Sequence, residues 1–222
     1  MKKKNLILIL IAVIIFILII IFVPIGLVLS SFLGPTDYKE GLNNYNKDYY
    51  TDKYGGDLDT GLYIFPDKKI VKDAEFYSSM KTNLIDTDGY IILKAKYSDK
   101  LYEDEISRLK EIGITISQKC GPGSASYSNK IKYDETSYEY PAYVTIDNCF
   151  DKYEYALLND SKKEIYYIYL SNPKINSKKY KEYLKKDKKE YLDLDSKCNY
   201  SLYNHTFDKG KSYLEFDDCG KK

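Results

Sequence analysis

Leu6 to Val23 is a run of 18 consecutive apolar residues, LILILIAVIIFILIIIFV. As a helix at about 1.5 Å per residue it is roughly 27 Å long, close to the bilayer hydrocarbon core of about 30 Å. Pro24-Ile25-Gly26-Leu27-Val28-Leu29 prolongs the run, although proline kinks or ends a helix. The pattern predicts a transmembrane helix over residues 6–29, which satisfies its own backbone groups in lipid. Lys2, Lys3 and Lys4 precede it. The positive-inside rule then keeps a stub, residues 1–5, in the cytoplasm and places the rest of the chain outside. A cleaved signal peptide is the competing reading. Its apolar region is shorter, about 7–15 residues, and Val28-Leu29-Ser30 matches the A-x-A cleavage pattern poorly.

Past the apolar run the pattern changes. Residues 30–60 turn polar and rich in Gly, Asn and Asp without periodicity, and read as a juxtamembrane linker. The folded domain is expected over 61–222, opening with a short strand, Gly61–Phe65, stopped by Pro66. Ala74–Lys81 and Tyr90–Tyr97 read as strands. The second alternates Ile91, Leu93, Ala95 and Tyr97 against Ile92, Lys94 and Lys96, and Asp88-Gly89 suits a type I′ turn between the two. Asp99 can cap a helix, DKLYEDEISRLKEIG, with a seam of Leu101, Ile106, Leu109 and Ile112 and a stop at Gly113. Further strands are expected near Lys130–Glu139, Ala142–Asp147, Glu154–Leu158 and Glu164–Leu170. Ile165–Leu170 is β-branched and aromatic enough to be central in a sheet. Ser177 to Tyr191 predicts a lysine-rich helix. Tyr200–Phe207 and Lys211–Phe216 predict a terminal hairpin. Helices set among consecutive hairpins point to one α+β domain with an antiparallel sheet and about two helices, behind an N-terminal transmembrane helix.

The length, 222 residues, allows one ordinary domain. No charge lies between Lys4 and Asp37, which leaves 31 basic against 33 acidic groups beyond the membrane segment. That balance excludes a strongly basic nucleic-acid binder. Persistent apolar and tyrosine residues exclude an acidic disordered tail. Abundant lysine (Arg108 is the only arginine) and 26 tyrosines beside no tryptophan follow A/T-rich codons and carry little functional weight.

The four cysteines, Cys120, Cys149, Cys198 and Cys219, all follow the membrane segment, where disulfides persist. Of three connectivities, Cys120–Cys149 with Cys198–Cys219 is favoured, because local pairing closes the shortest loops. Four buried free thiols are the competing reading. A zinc site lacks support: there is no C-x-x-C spacing, and His205 is the only histidine.

Motifs with chemical content are few. Asp59-Thr60-Gly61 spells the aspartic-protease triplet, but no second triplet follows to share a proton, and a turn reads better. Asp86-x-Asp88-Gly89 resembles the middle of a calcium loop, yet Leu84 stands where the first ligand belongs. Asp217-Asp218 reads as solvated acid. His205, within the sequon Asn204-His205-Thr206, has no nucleophile signature beside it. The Ser177–Tyr191 lysines could lean on anionic polymer or headgroups, though Glu182, Asp187 and Glu190 dilute them. No catalytic, cofactor or metal residue is assigned.

GLYIFPD at 61–67, YEYALLND at 153–160 and EIYYIYL at 164–170 resemble a loose group of uncharacterised, membrane-anchored exported proteins of low-GC Gram-positive bacteria. The resemblance implies an exported domain and no activity. The expectation is a binding or interaction module held outside the cell membrane, with partners in the lipid bilayer through residues 6–29 and in an envelope polymer or protein, and none in nucleic acid. The alternatives are an envelope hydrolase with dispersed carboxylates and an accessory subunit of a membrane complex. Convergent carboxylates of shifted pKa would favour the hydrolase. A broad, uncharged aromatic surface would favour the binder.

Overall fold

The computed structural model describes residues 3–32, 35–58, 62–82, 87–120, 123–149, 151–192 and 198–202. Helix α1, Lys3–Phe32, carries the apolar run and continues through Pro24. Within it, the side chains of residues 11–26 are described and all are exposed. Among the described residues no helix is long and apolar enough to cross a membrane. In α1 that stretch is sixteen residues of a 30-residue backbone helix.

Four residues after α1 the domain begins. Strand β1, Asp37–Glu40, leads through a 3-10 turn, Leu42–Asn44, into helix α2, Lys47–Leu58. Residues 37–58 of the expected linker 30–60 are therefore part of the folded domain. Their tyrosines are the reason: Tyr45, Tyr50 and Tyr54 are buried in the core. Their hydroxyls meet the Pro66 carbonyl at 2.5 Å, the Ser78 hydroxyl at 2.5 Å and the Asp37 carboxylate at 3.0 Å. A buried tyrosine is tolerated when its hydroxyl finds such a partner.

The main strands follow: β2, Asp73–Thr82, and β3, Thr87–Lys96, then helix α3, Asp99–Lys110. β4, Gly113–Cys120, and β5, Gly123–Lys130, pair only with each other. β6, Lys132–Asp134, β7, Ala142–Cys149, β8, Lys152–Asn159, β9, Glu164–Ser171, and β10, Cys198–Ser201, complete the set. The main sheet runs β1-β2-β3-β9-β8-β7-β10 with β6 also on β7, and every pairing is antiparallel. The expected α+β class holds, and β9 is central.

Successive side chains of a strand point to opposite faces, and here both faces are covered. Ile165, Tyr167 and Tyr169 of β9 join Ile91, Leu93 and Ala95 of β3 in a core under the helices, with Tyr50, Phe76, Tyr102 and Leu109. Tyr166, Ile168 and Leu170 face the other way, with Ile92, Val144, Tyr155, Tyr180 and Leu184. That second core lies beneath residues 135–140 and 172–192. Burial on two sides gives β8 and β9 nearly unbroken runs of buried residues where a one-sided sheet alternates.

Several local expectations are corrected. The expected strand Gly61–Phe65 is not formed by its described residues: Leu62 has φ 54°, and 62–65 is a turn that sinks Leu62, Ile64 and Phe65 into the core. β2 and β3 do form a hairpin, but Asp88-Gly89 lies inside β3, and the ladder closes at Thr82–Thr87. Gly89 has φ 147°, and a Cβ there would stand 2.0 Å from the Ser79 carbonyl oxygen, so close backbone approach requires the glycine. In α3 the buried side chains are Tyr102, Glu105 and Leu109, while Leu101 is exposed. Only Lys132–Asp134 of the expected strand 130–139 pairs with β7.

Residues 177–191 are turns and one 3-10 turn, Lys189–Tyr191, instead of a lysine helix. Side-chain and distant acceptors take the segment's backbone bonds: Lys174 N–H donates to the Tyr180 hydroxyl, Lys185 N–H to the Tyr191 hydroxyl and Lys186 N–H to the Ser137 carbonyl. Repelling lysines offered little to a helix, whereas Tyr180 and Leu184 gain burial on the sheet.

The favoured cysteine connectivity is also overturned. Cys149 is bonded to Cys198, with their Cα atoms 3.9 Å apart. The two stand opposite each other in the β7–β10 ladder. Sheet register, and not the shortest loop, chose the pair. The side chain of Cys120, all of Cys219 and most of the terminal hairpin lie outside what is described.

Candidate binding groove

α3 is fastened to the sheet by one buried polar cluster. Arg108 donates from Nε and Nη2 to Glu105, at 2.9 and 2.7 Å, and from Nη2 to the Ile64 carbonyl at 2.7 Å. The Tyr167 hydroxyl donates to Glu105 at 2.5 Å and shares a 2.9 Å hydrogen bond with Tyr97. Burial opposes charge on Arg108, but the Glu105 carboxylate outweighs it and raises the guanidinium pKa. Burial, with the Tyr97 hydroxyl and the Glu105 carboxylate, holds the Tyr167 phenol far above its ordinary range.

With α3 fixed over β9, the helix-side face of β8, β7 and β6 beyond it is left open as a groove of about 650 Å³. Its walls are Glu103, Ile106 and Lys110 of α3 and Lys130 with Ile131. The floor is a cross-strand set, Tyr133, Tyr143 and Leu158. Tyr133 and Tyr143 are Cα partners, with rings 5.1 Å apart at 48°. Pro141 accepts a 2.8 Å hydrogen bond from Leu158 N–H, which holds the floor flat at that end. Asp160 completes the lining from the β8–β9 turn.

Tyr133 is 51% exposed, whereas Tyr143 beneath it is buried. An accessible ring is thus backed by a fixed one. Burial, followed by the Glu135 and Asp160 carboxylates, raises the Tyr133 hydroxyl pKa, so it remains a neutral donor and acceptor. Two acids and two lysines share the lining, and their charges cancel. Such a surface can stack a flat apolar face and hydrogen-bond the edges of what it holds.

The buried acids Asp147 and Glu154 are committed elsewhere. Asp147 meets Lys185 at 2.6 Å and Lys132 at 3.6 Å. Buried Glu154 accepts from the Thr145 hydroxyl at 2.6 Å. A smaller hollow of about 300 Å³ sets Lys94, Lys178 and Lys179 against Glu40, Glu75 and Glu182. Among the described residues no group of three His, Cys, Asp or Glu side chains could hold a metal ion.

Of the residues singled out from sequence, Asp88 accepts a hydrogen bond from Asn172 within the sheet. Asp59-Thr60-Gly61, His205 and Asp217-Asp218 lie outside the described residues. None of the groove residues is visible as a motif. They come from α3, the end of β5, β6, β7, β8 and a hairpin turn, and the strand register gathers the floor. No family model matches the chain, and no curated protein or solved structure matches it either.

Proposed function

We propose that the chain is a membrane-anchored, extracytoplasmic binding module that holds an envelope ligand in the groove floored by Tyr133, Tyr143 and Leu158. The groove carries this reading: it pairs an accessible aromatic platform with a rim of balanced charge. α1 would serve as the signal-anchor, supported by the uncharged run from Leu6 to Val23 within a 30-residue helix. The Cys149–Cys198 bond supports an oxidising compartment on the carboxyl-terminal side. The hydrolase alternative gains less, because Glu105 and Asp147 are each tied to a cation.

The test uses the full chain in phospholipid vesicles, incubated with separated glycan, anionic-polymer and protein fractions of the envelope. The wild-type chain should retain one fraction. Tyr133→Ala should weaken that retention about tenfold, the scale of one aromatic anchor at an interface, with thermal unfolding unchanged. Equal retention by both, or breakdown of a fraction by the wild-type chain, would remove the binding reading. Protease added to intact cells should digest the domain.

A further inference from the structure

The strand register relates the anchor to the groove. Asp37, the first residue of β1, stands opposite Met80, which stands opposite Gly89, then Ser171, Lys152, Cys149 and Cys198 in turn. One end of the sheet is thus level with the point where the chain arrives from α1. Five Cα–Cα steps separate Phe32 from Asp37, so β1 starts within about 18 Å of the end of the helix.

The groove lies elsewhere along both directions of the sheet. Leu158 is six residues up β8 from Lys152, about 20 Å along the strands. β7, in the middle of the floor, is five strand spacings from β1 in the sheet order, about 24 Å across. The two corners are roughly 30 Å apart on the diagonal; above a lipid surface the groove then stands about 20 Å high when the domain rests on its strand ends and about 24 Å when it leans on its β1 edge. Resting on the proposed anchor, we infer that bilayer attachment and groove occupy opposite corners of the sheet. The β1 corner meets the lipid surface, and the groove faces the aqueous side and takes its ligand from there, not from lipid headgroups.

Tyr38 and Tyr133 make a matched pair of probes. Both are exposed, at 50% and 51%, and they sit at the two corners. The full chain, carrying Tyr38→benzoylphenylalanine or Tyr133→benzoylphenylalanine, is reconstituted in phosphatidylcholine–phosphatidylglycerol vesicles and irradiated. Position 38 should give lipid adducts and position 133 about tenfold fewer or none, because the ketone reaches only a few ångströms, whereas Tyr133 is level with Ala156, about 13 Å along the strands from Lys152. Adducts at position 133 equal to those at 38, or none at 38 in chains that float with the vesicles, would overturn the orientation. Chains that do not float with vesicles at all would instead refute the anchor, and the orientation with it.

Discussion

Arg108 stands where lysine fails. Every other cation of the chain is lysine, yet this position serves two acceptors, the Glu105 carboxylate and the Ile64 carbonyl, from one rigid group. A lysine ammonium is a point charge on a flexible stem and cannot offer the planar fork. Arg108→Lys should therefore lower stability by about 1–3 kcal/mol, since it leaves a buried carboxylate under-satisfied. Urea unfolding followed by circular dichroism measures this. A variant as stable as the wild type would show that Tyr167 alone satisfies Glu105. Lysine abundance says little here; the single exception to it marks the joint between helix and sheet.

Among the elements, β10 is a short strand at the end of the sheet order. It has four residues, and it keeps its place through the β7 ladder and the Cys149–Cys198 bond. The bond spans a sequence separation of 49. The double variant Cys149→Ser, Cys198→Ser should lose about 2–4 kcal/mol by the loop-entropy argument. Hydrogen exchange should quicken first in β10 and the second half of β7. Unchanged exchange in β10 would mean that the ladder suffices by itself. β8 and β9 are legible in the sequence because residues such as Ile165, Tyr167 and Ile168 are strand formers wherever they pack. α2 is not, because its buried positions are tyrosines in KDYYTDKYGGDL, which hydropathy reads as polar. The lysine segment misleads in the opposite sense, with helical spacing but backbone bonds taken by tyrosine hydroxyls and Ser137. The groove is invisible for a third reason: Tyr133 and Tyr143 become neighbours only through register.

At the scale of the whole molecule, tyrosine replaces much of the usual aliphatic core. Burial is the first cause that raises the hydroxyls of Tyr45, Tyr102, Tyr155 and Tyr167 above their ordinary pKa of 10.0. Each folded-state pKa exceeds the unfolded one, so the stabilisation is complete below pH 10 and is lost as pH climbs past it toward the folded values. Alkaline titration followed by tyrosinate absorbance should show a few exposed rings ionising gradually. The thirteen buried among the described tyrosines should then ionise in one sharp step, together with loss of the sheet's circular dichroism. Gradual ionisation of all 26 tyrosines with the sheet intact would contradict the two-sided core.

The proposed diagonal placement of attachment and groove would have a mechanical consequence. Tension between the lipid and a captured ligand would enter at the start of β1 and leave near the opposite ends of β7 and β8. The part of that pull directed along the strands would ask neighbouring antiparallel strands to slide lengthwise and would load the hydrogen bonds of each ladder together, while the part directed across the sheet would draw the strands apart. Resistance to the lengthwise part is a matter of unfolding rate more than equilibrium, and it would make a taut connection slow to rupture.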